Sequence, residues 1–342
     1  TLPQGHRTHM IAARTIEELA GTISGSCVTI GNFDGVHVGH QRLLALTCAK
    51  ARKRNLVSVV VTFDPHPLTV LLGKKTPPFL TSTTQRLARI AQHGPNVSLV
   101  LEFTRQMASL EPEEFVRRYL VEGLNLRELV IGYDYAMGKG RKGDFGLLSQ
   151  LGQKYGYGVE RLDPVIVCGA VVSSTRIRDL VQAGNVWDAR PLLGSFFEVC
   201  GEVVDGMKRG AAMLGFPTAN LRTEGVLLPK PGVYAVWAFV EGRPLPAVAN
   251  VGFNPTFGDT GLTLETHIMD FNRNIYGQNV CVQFVQRLRS ERKFESLDAL
   301  KERIAEDVAL GRIILATSEA QPNATQQEGA QPDCPQADGV TP

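Results

Sequence analysis

The chain has 342 residues, 43% hydrophobic and 20% charged, a composition that excludes a wholly disordered chain or a fibrous repeat and leaves room for about two domains. Its 36 basic and 34 acidic residues give a net charge of +2, so no global field steers it onto nucleic acid or an anionic membrane, and an anion must be caught by a local arrangement of groups. The longest apolar runs, such as Val57–Val61, have the length of a strand and fall short of the roughly 20 residues of a membrane span; a soluble, cytoplasmic protein is expected.

The first ten residues have neither the apolar core nor the cleavage site of a signal peptide and are set aside from fold reasoning. From about Cys27 to Leu180, short apolar runs alternate with helical patterns, the order of a layered α/β domain. Strands are expected at Cys27–Ile30, Leu56–Thr62, Val97–Glu102, Glu128–Gly132 and Val159–Val167. Helices are expected at His40–Arg54, Thr84–Gln92, Pro112–Glu122, Phe145–Tyr155 and from about Ser174. Strands joined by helical crossovers run parallel, and such a Rossmann-like sheet takes its ligand at the carboxyl ends of the strands, where strand order switches.

From Phe196 to Arg287 the texture changes to strand-like runs with no helix between them: Phe197–Val203, Val233–Val240, Ala247–Val251, Leu262–Phe271 and Asn279–Gln286. Gly, Pro and Asn punctuate the gaps, which predicts an antiparallel barrel or sandwich of about 100 residues. Leu297, Leu300, Ile304 and Val308 recur at helical spacing and predict one closing helix. The expected domains are thus 10–187 and 188–315, followed by a tail, 316–342, too polar to order itself. The six cysteines, including Cys334 in that tail, show no metal-ligand spacing and are expected to be reduced thiols.

Thr29-Ile-Gly-Asn-Phe-Asp-Gly-Val-His-Val-Gly-His40 leaves a strand, passes Gly31 and Gly35, and enters a helix near His37. Such a junction aims unpaired backbone N–H groups and the positive end of a helix at one point, which suits a phosphate. His37 and His40 share a face there, Gly39 admits the close approach of a ligand or another backbone, and two imidazoles can donate to charge building on a phosphorus under attack. Surface or capping histidines are the plain alternative; a zinc site lacks a third ligand at a recognisable spacing.

Ser173-Ser-Thr-Arg-Ile-Arg178 opens a helix with Arg176 and Arg178 where acidic residues are usual. The hydroxyls of Ser174 and Thr175 with the two guanidinium groups make a polyphosphate clamp, or else a serine N-cap beside solvated arginines. Thr62-Phe-Asp-Pro-His-Pro67 sets Asp64 and His66 just past a strand on the ligand side, or forms only a proline-rigidified turn. Gly138-Lys-Gly-Arg-Lys-Gly143 is a flexible basic loop, usable as a lid over phosphates.

G-N-F-D-G-V-H-V-G-H followed by S-S-T-R-I-R resembles the H-x-G-H nucleotidyltransferase superfamily. With F-D-P-H-P between them, the set is similar to the adenylyltransferase half of the prokaryotic bifunctional riboflavin kinase/FAD synthetases. The segment that often reads G-x-[DN]-F-x-F-G in that half is Gly132-Tyr-Asp-Tyr-Ala-Met-Gly138 here. Asp134 keeps the Asx position while Tyr135 and Met137 replace phenylalanines, a departure bearing on flavin-ring contacts more than on phosphate chemistry.

In the second half, Lys208-Arg-Gly-Ala-Ala-Met-Leu-Gly-Phe-Pro-Thr-Ala-Asn220 joins a Gly-containing stretch to the polar cluster Pro217-Thr-Ala-Asn220. The Thr and Asn oxygens suit Mg²⁺ on nucleotide phosphates; in isolation the cluster would be a Pro/Asn turn. Leu264-Glu-Thr-His-Ile-Met-Asp-Phe271 alternates, so Glu265 and His267 share a face with Met269 and Phe271. If that face is interior, Glu265 is a desolvated carboxylate able to take a proton from a hydroxyl. If Leu264, Thr266 and Ile268 point inward, it is a solvated strand charge.

L-G-F-P-T-A-N, P-G-V-Y-A, N-V-G-F-N-P-T-F and L-E-T-H-I-M-D-F, in that order, resemble riboflavin kinases, which are small six-stranded barrels. The resemblance implies Thr218 and Asn220 as ligands of Mg²⁺ and ATP, within a nucleotide-binding segment that includes Gly215 and Pro217, and Glu265 as general base. The implied protein is a bifunctional enzyme that phosphorylates riboflavin to FMN and adenylylates FMN to FAD and pyrophosphate. His37 and His40 would stabilise the second transition state. Gly31, Asn32, Asp34, Gly39, Asp64, Asp134, Ser174, Thr175 and Arg178 would bind nucleotide. The implied partners are small molecules, with no nucleic acid and no membrane; a weak homo-oligomer is left open. The alternatives are a kinase with an inactive adenylyltransferase half and a flavin-binding or flavin-sensing protein without turnover. The intact motifs and Glu265 argue against both.

Overall fold

The runs Ser26–Ile30 (β2) and Val97–Leu101 (β4) are buried at every position, as strands covered on both faces must be. The computed structural model describes residues 10–73, 76–205, 215–223, 225–253, 261–292 and 294–322. Contacts divide the chain into two compact units, Thr1–Pro77 with Thr83–Ile166 and Pro78–Ser82 with Val167–Pro342.

In the first unit β2 and β4 join Ile11–Ala13 (β1), Val57–Phe63 (β3), Leu126–Ile131 (β5) and Gly158–Arg161 (β6) in a six-stranded sheet of order β1-β4-β3-β2-β5-β6. Every pairing is parallel. The chain runs from β2 through β3 to β4 on one side and resumes at β5 on the other, so strand order switches between β2 and β5. The helices are Val38–Lys53 (α1), Pro67–Leu72 (α2), Thr83–Gln92 (α3), Arg105–Ala108 (α4), Pro112–Phe115 (α5), which continues as a π-helix to Glu122, and Phe145–Tyr155 (α6). The three-residue β1 escaped sequence reading because it is too short to show periodicity; it exists by pairing Ile11–Ala13 with Val97–Leu99. Glu128, 1% exposed, is held by Lys50 at 2.8 Å and by Arg54. A Cβ on Gly158 would lie 2.7 Å from its carboxylate, so only glycine leaves room for the buried charge. Tyr135 and Met137 pack with the hydrophobic core, and paired backbone bonds between Met137 and Gly143 close the basic loop at its base.

The second unit holds the two-stranded ribbon of Val167, Ala170 and Val171 with its neighbour Ile166 (β7, Ile166–Val167; β8, Ala170–Val171), then Ser174–Ala183 (α7) and Val186–Leu193 (α8). A closed antiparallel barrel follows: Phe197–Val204 (β9), Ala219–Arg222 (β10), Gly232–Val240 (β11), Arg243–Phe253 (β12), Leu262–Ile268 (β13) and Asn279–Arg289 (β14), in the order β10-β13-β12-β11-β14-β9. β9 alternates strictly, with Phe197, Val199, Gly201 and Val203 inward. The four-residue β10, read from sequence only as a polar cluster, closes the barrel between β9 and β13. The last helix, Leu297–Leu315 (α9), is fastened by Arg289, whose Nε and Nη2 donate to buried Asp307 at 2.7–3.0 Å. Beyond 316 the chain is exposed until Ala320, which is fully buried and accepts a 2.6 Å bond from Trp237 Nε1; the rest of the expected tail, from 323, lies outside the described residues.

The expectation of reduced thiols fails at Cys200 and Cys281, which form a disulfide across β9 and β14. They stand 81 positions apart, so no local spacing signals the pair; the register sets the two Cα atoms 4.0 Å apart. Cys27 and Cys48 are free and buried, and burial pushes the Cys27 thiol up to about 12. Cys200→Ser is expected to destabilise the barrel by roughly 2–4 kcal/mol. Thermal unfolding with and without reductant checks this; equal midpoints for wild type and variant in oxidising buffer would contradict it.

Candidate active sites

Because all six strands are parallel, the loops after β2, β3 and β5 emerge at one edge of the sheet, and this edge carries Asn32, Asp34, His37 and His40, Asp64, and Asp134 respectively. The loop after β2 is under backbone strain. Phe33 (φ 53°) and Val36 (φ 44°), both fully buried, occupy the left-handed region that side chains avoid, and Gly35 joins them at φ 81°. It delivers His37 as the N-cap of α1, with Nδ1 accepting the His40 backbone N–H at 3.3 Å. An accepting Nδ1 fixes the tautomer: His37 carries its proton on Nε2, which is left as a donor. The two imidazoles stack, centroids 3.6 Å apart and planes 15° apart. Gly39 faces the His37 ring. A Cβ there would meet the His37 ring at 3.1 Å, so the glycine makes room for the imidazole itself.

Burial pushes His37 down to about 4 and holds His40 well below the usual imidazole range, the neighbouring His37 adding to the latter. Both rings are therefore neutral donors at pH 7. In the unfolded chain they titrate near about 6.5, so between that pH and 4 the unfolded state binds more protons. Stability is complete above about pH 6.5 and falls as pH drops toward 4, with His37 accounting for about 3 kcal/mol. Urea midpoints at neutral and acid pH check this: His37→Asn with His40→Asn should flatten the dependence, and an unchanged slope contradicts it.

One residue that sequence reading missed ties this edge together. Arg86 on α3 is 3% exposed; its Nη1 donates to Asn32 O at 3.1 Å, and its Nη2 to Phe63 O at 2.8 Å and Thr83 Oγ1 at 3.4 Å. Thr83 Oγ1 in turn donates to Asp64 Oδ1 at 3.1 Å. His66, the other residue of the F-D-P-H-P segment, is the N-cap of α2, accepting from Leu68 N at 3.1 Å. Asp134 is exposed past β5, its carbonyl accepting from Arg141.

Ser174, Thr175 and Arg178 lie on α7, in the second compact unit. Ser173 is the N-cap, accepting from Arg176 N at 3.2 Å. Arg176 is engaged structurally, donating to the carbonyls of Val167 and Ala170 at 3.0 and 3.1 Å.

In the barrel, Leu264, Thr266 and Ile268 point inward, the orientation that was to make Glu265 a solvated charge. Glu265 is nevertheless partly buried. It sits in register between Asn220 of β10 and Asn250 of β12, so two amides flank it at the strand spacing of about 4.8 Å. Burial lifts its carboxyl above the usual range, and Glu291 adds in the same direction. Glu291, also missed in the sequence, lies over Gly252, whose missing side chain leaves room for its carboxylate beside the Asn250 amide. His267 holds the P-T-A-N segment to β13: its ring nitrogen bonds Pro217 O at 2.9 Å and its edge meets Phe216. Thr218 and Asn220, two residues apart, are both partly exposed while Ala219 between them is buried. Thr218 borders a cavity of about 360 Å³ lined also by Val203, Thr266, Phe271, Asn274 and Tyr276. The fully buried Thr266 Oγ1 has no hydrogen-bond partner among the described residues. Gly215, at φ 75°, is exposed; residues 208–214 and 254–257 of the expected motifs lie outside the described residues.

Comparison with known proteins finds two families in the chain. The FAD synthetase family matches residues 20–176 and the riboflavin kinase family residues 193–315. The chain is 38% identical over 301 residues to the bifunctional riboflavin kinase/FMN adenylyltransferase of Escherichia coli K12, covering 87% of this chain and 96% of that protein. It is 38% identical over 310 residues to the protein of that name from Pseudomonas fluorescens, covering 90% and 99%. Among solved structures, a Streptococcus pneumoniae protein described as a macrolide-efflux protein superposes with a TM-score of 0.76 at 32% identity, covering 89% of this chain and 99% of that one. Among the described residues of the present chain no helix is long and apolar enough to cross a membrane. The chain belongs to the bifunctional riboflavin kinase/FMN adenylyltransferase family.

Proposed function

We propose that the two reactions are divided between the residues described above, with the functional boundary at 187/188. The chain is a riboflavin kinase and an FMN adenylyltransferase, and the observation that carries the assignment of its sites is the presence in one chain of the H-x-G-H loop at a strand-order switch and the Asn220–Glu265–Asn250 row on a closed barrel. In the barrel, Glu265 takes the proton of the riboflavin 5′-hydroxyl as that oxygen attacks the γ-phosphorus of ATP. Its raised affinity for a proton makes it a better base than a solvated carboxylate. The cavity beside Thr218 is of the size that holds part of a nucleotide or flavin. Thr218 and Asn220 offer neutral hard oxygens, a donor set that fits Mg²⁺ shared with phosphates and water. When bound, Mg²⁺ neutralises charge on the ATP phosphate oxygens.

In the first unit, the FMN phosphate attacks the α-phosphorus of ATP and pyrophosphate leaves. The Nε2–H of His37, and His40 stacked on it, donate to the non-bridging oxygens of that phosphorus as charge gathers on them, while the N-terminus of α1 adds its dipole. The polyphosphate clamp of Ser174, Thr175 and Arg178 stands on α7, in the second unit. Neither step passes through a covalent enzyme intermediate. We place the enzyme in the cytoplasm, acting on small molecules without nucleic acid or membrane partners.

Incubation with riboflavin, ATP and Mg²⁺, followed by chromatography of the flavins, tests the reading. FMN should appear first and FAD after it. FMN without FAD would remove the adenylyltransferase assignment, and no conversion at all would favour a flavin-binding protein.

A further inference from the structure

Burying a guanidinium costs several kcal/mol unless hydrogen bonds and nearby opposite charge offset it. Arg86 is buried to 3% exposure, and yet its Nε finds no acceptor among the described residues. Its remaining donors serve backbone and hydroxyl oxygens. Those oxygens are not scattered. Asn32 O belongs to the loop after β2, Phe63 O ends β3, and Thr83 Oγ1 passes the contact on to Asp64. One planar fork therefore spans the carboxyl ends of two neighbouring strands, and a lysine, with a single point of donation, cannot bridge them in the same way.

The loop it holds is the strained one. Phe33 and Val36 sit at positive φ, and such strained conformations persist only where the surroundings over-determine them. Thr62 Oγ1 at 3.4 Å and Arg86 Nη1 at 3.1 Å both reach the Asn32 carbonyl just before the strained stretch begins. Five residues beyond Asn32 comes His37. Asp34, 3% exposed, and Asp64 supply the negative charge that keeps Arg86 ionised against its burial.

We propose that Arg86 is the positioning residue of the adenylyltransferase centre, a buried brace that holds the Asn32–His37 loop and the Asp64 carboxylate in one register without itself touching the reacting phosphates. The inference rests on the assignment of adenylyl transfer to His37 and His40.

A brace and a phosphate ligand leave different kinetic marks. Misplacing catalytic groups by about 1 Å costs on the order of 10²-fold in turnover with little change in binding. In the full-length protein supplied with FMN, ATP and Mg²⁺, Arg86→Lys and Arg86→Met are both expected to lower kcat for FAD formation by about 10²-fold, with KM for ATP and FMN within about threefold of wild type. FMN formation from riboflavin should be unchanged and reports that the barrel has folded, and a wild-type thermal unfolding profile reports that the unit holding Arg86 has. Thr83→Val, which breaks only the link from Arg86 to Asp64, should lower the same kcat by about tenfold. Wild-type kcat in Arg86→Lys would show that charge alone suffices and overturn the proposal; so would a raised KM for ATP with kcat preserved, the mark of a phosphate contact. If the Arg86 variants do not fold, Thr83→Val decides, and wild-type kcat there overturns the brace. If a chain lacking both histidines forms FAD at the wild-type rate, the histidine assignment falls and takes the proposal with it; failure of the brace alone leaves that chain inactive.

Discussion

A chain carrying His37→Ala and His40→Ala is expected to lose FAD formation by at least about 10³-fold while making FMN at the wild-type rate. Removing one preorganised donor from a developing oxyanion costs roughly 10²–10³ in turnover, and the stacked pair acts as a unit, so the two losses will not simply multiply. His37→Ala also removes an N-cap, which costs about 0.5–2 kcal/mol. His37→Asn separates the two effects, since asparagine caps well but carries no imidazole. It should restore stability and leave FAD formation impaired. Flavin chromatography after separate incubations with riboflavin and with FMN reads both activities; retained FAD synthesis in the double variant would contradict the assignment.

Glu265→Gln should do the reverse. The amide fills the same place between Asn220 and Asn250 but cannot accept the hydroxyl proton, and loss of a positioned general base slows transfer by about 10²–10⁴-fold. FMN formation should fall by that factor while FAD formation from supplied FMN continues. A fall of less than about tenfold would mean that the 5′-hydroxyl loses its proton by another route. Glu291→Gln is a useful companion. It removes the second carboxylate that helps to lift Glu265 and leaves the base in place.

The parallel sheet, its switch point and the barrel with its closing helix were legible in the sequence because long branched runs and alternating strands carry their own periodicity. What escaped was decided by partners distant in the chain. β1 and β10 are three and four residues long and exist only by pairing with β4, β9 and β13. Arg86 stands in Thr83-Thr-Gln-Arg-Leu-Ala-Arg89, where the spacing marks a helix but nothing tells the buried Arg86 from the half-buried Arg89. Cys200 and Cys281 meet only through the register of β9 and β14.

Glu265 was the informative ambiguity. Alternation offered an interior base or an idle surface charge, and the barrel supplies neither: the side chain points outward yet is partly buried, and the charge of Glu291 raises its proton affinity further. For the histidines, strand, glycines and helix start pointed to this junction as the candidate, but did not show that a side chain at Gly39 would meet the His37 ring.

Barrel closure also makes the kinase centre a matter of counting. Because β10, β13 and β12 are locked to one another in a ring, Asn220, Glu265 and Asn250 are neighbours only for one integer alignment. A one-residue slip of β13 would turn Glu265 into the barrel and bring out Leu264 or Thr266. Point substitutions around this row can be graded in their effects, whereas a single insertion or deletion within β13 has no intermediate outcome. A change of length is accommodated only between strands.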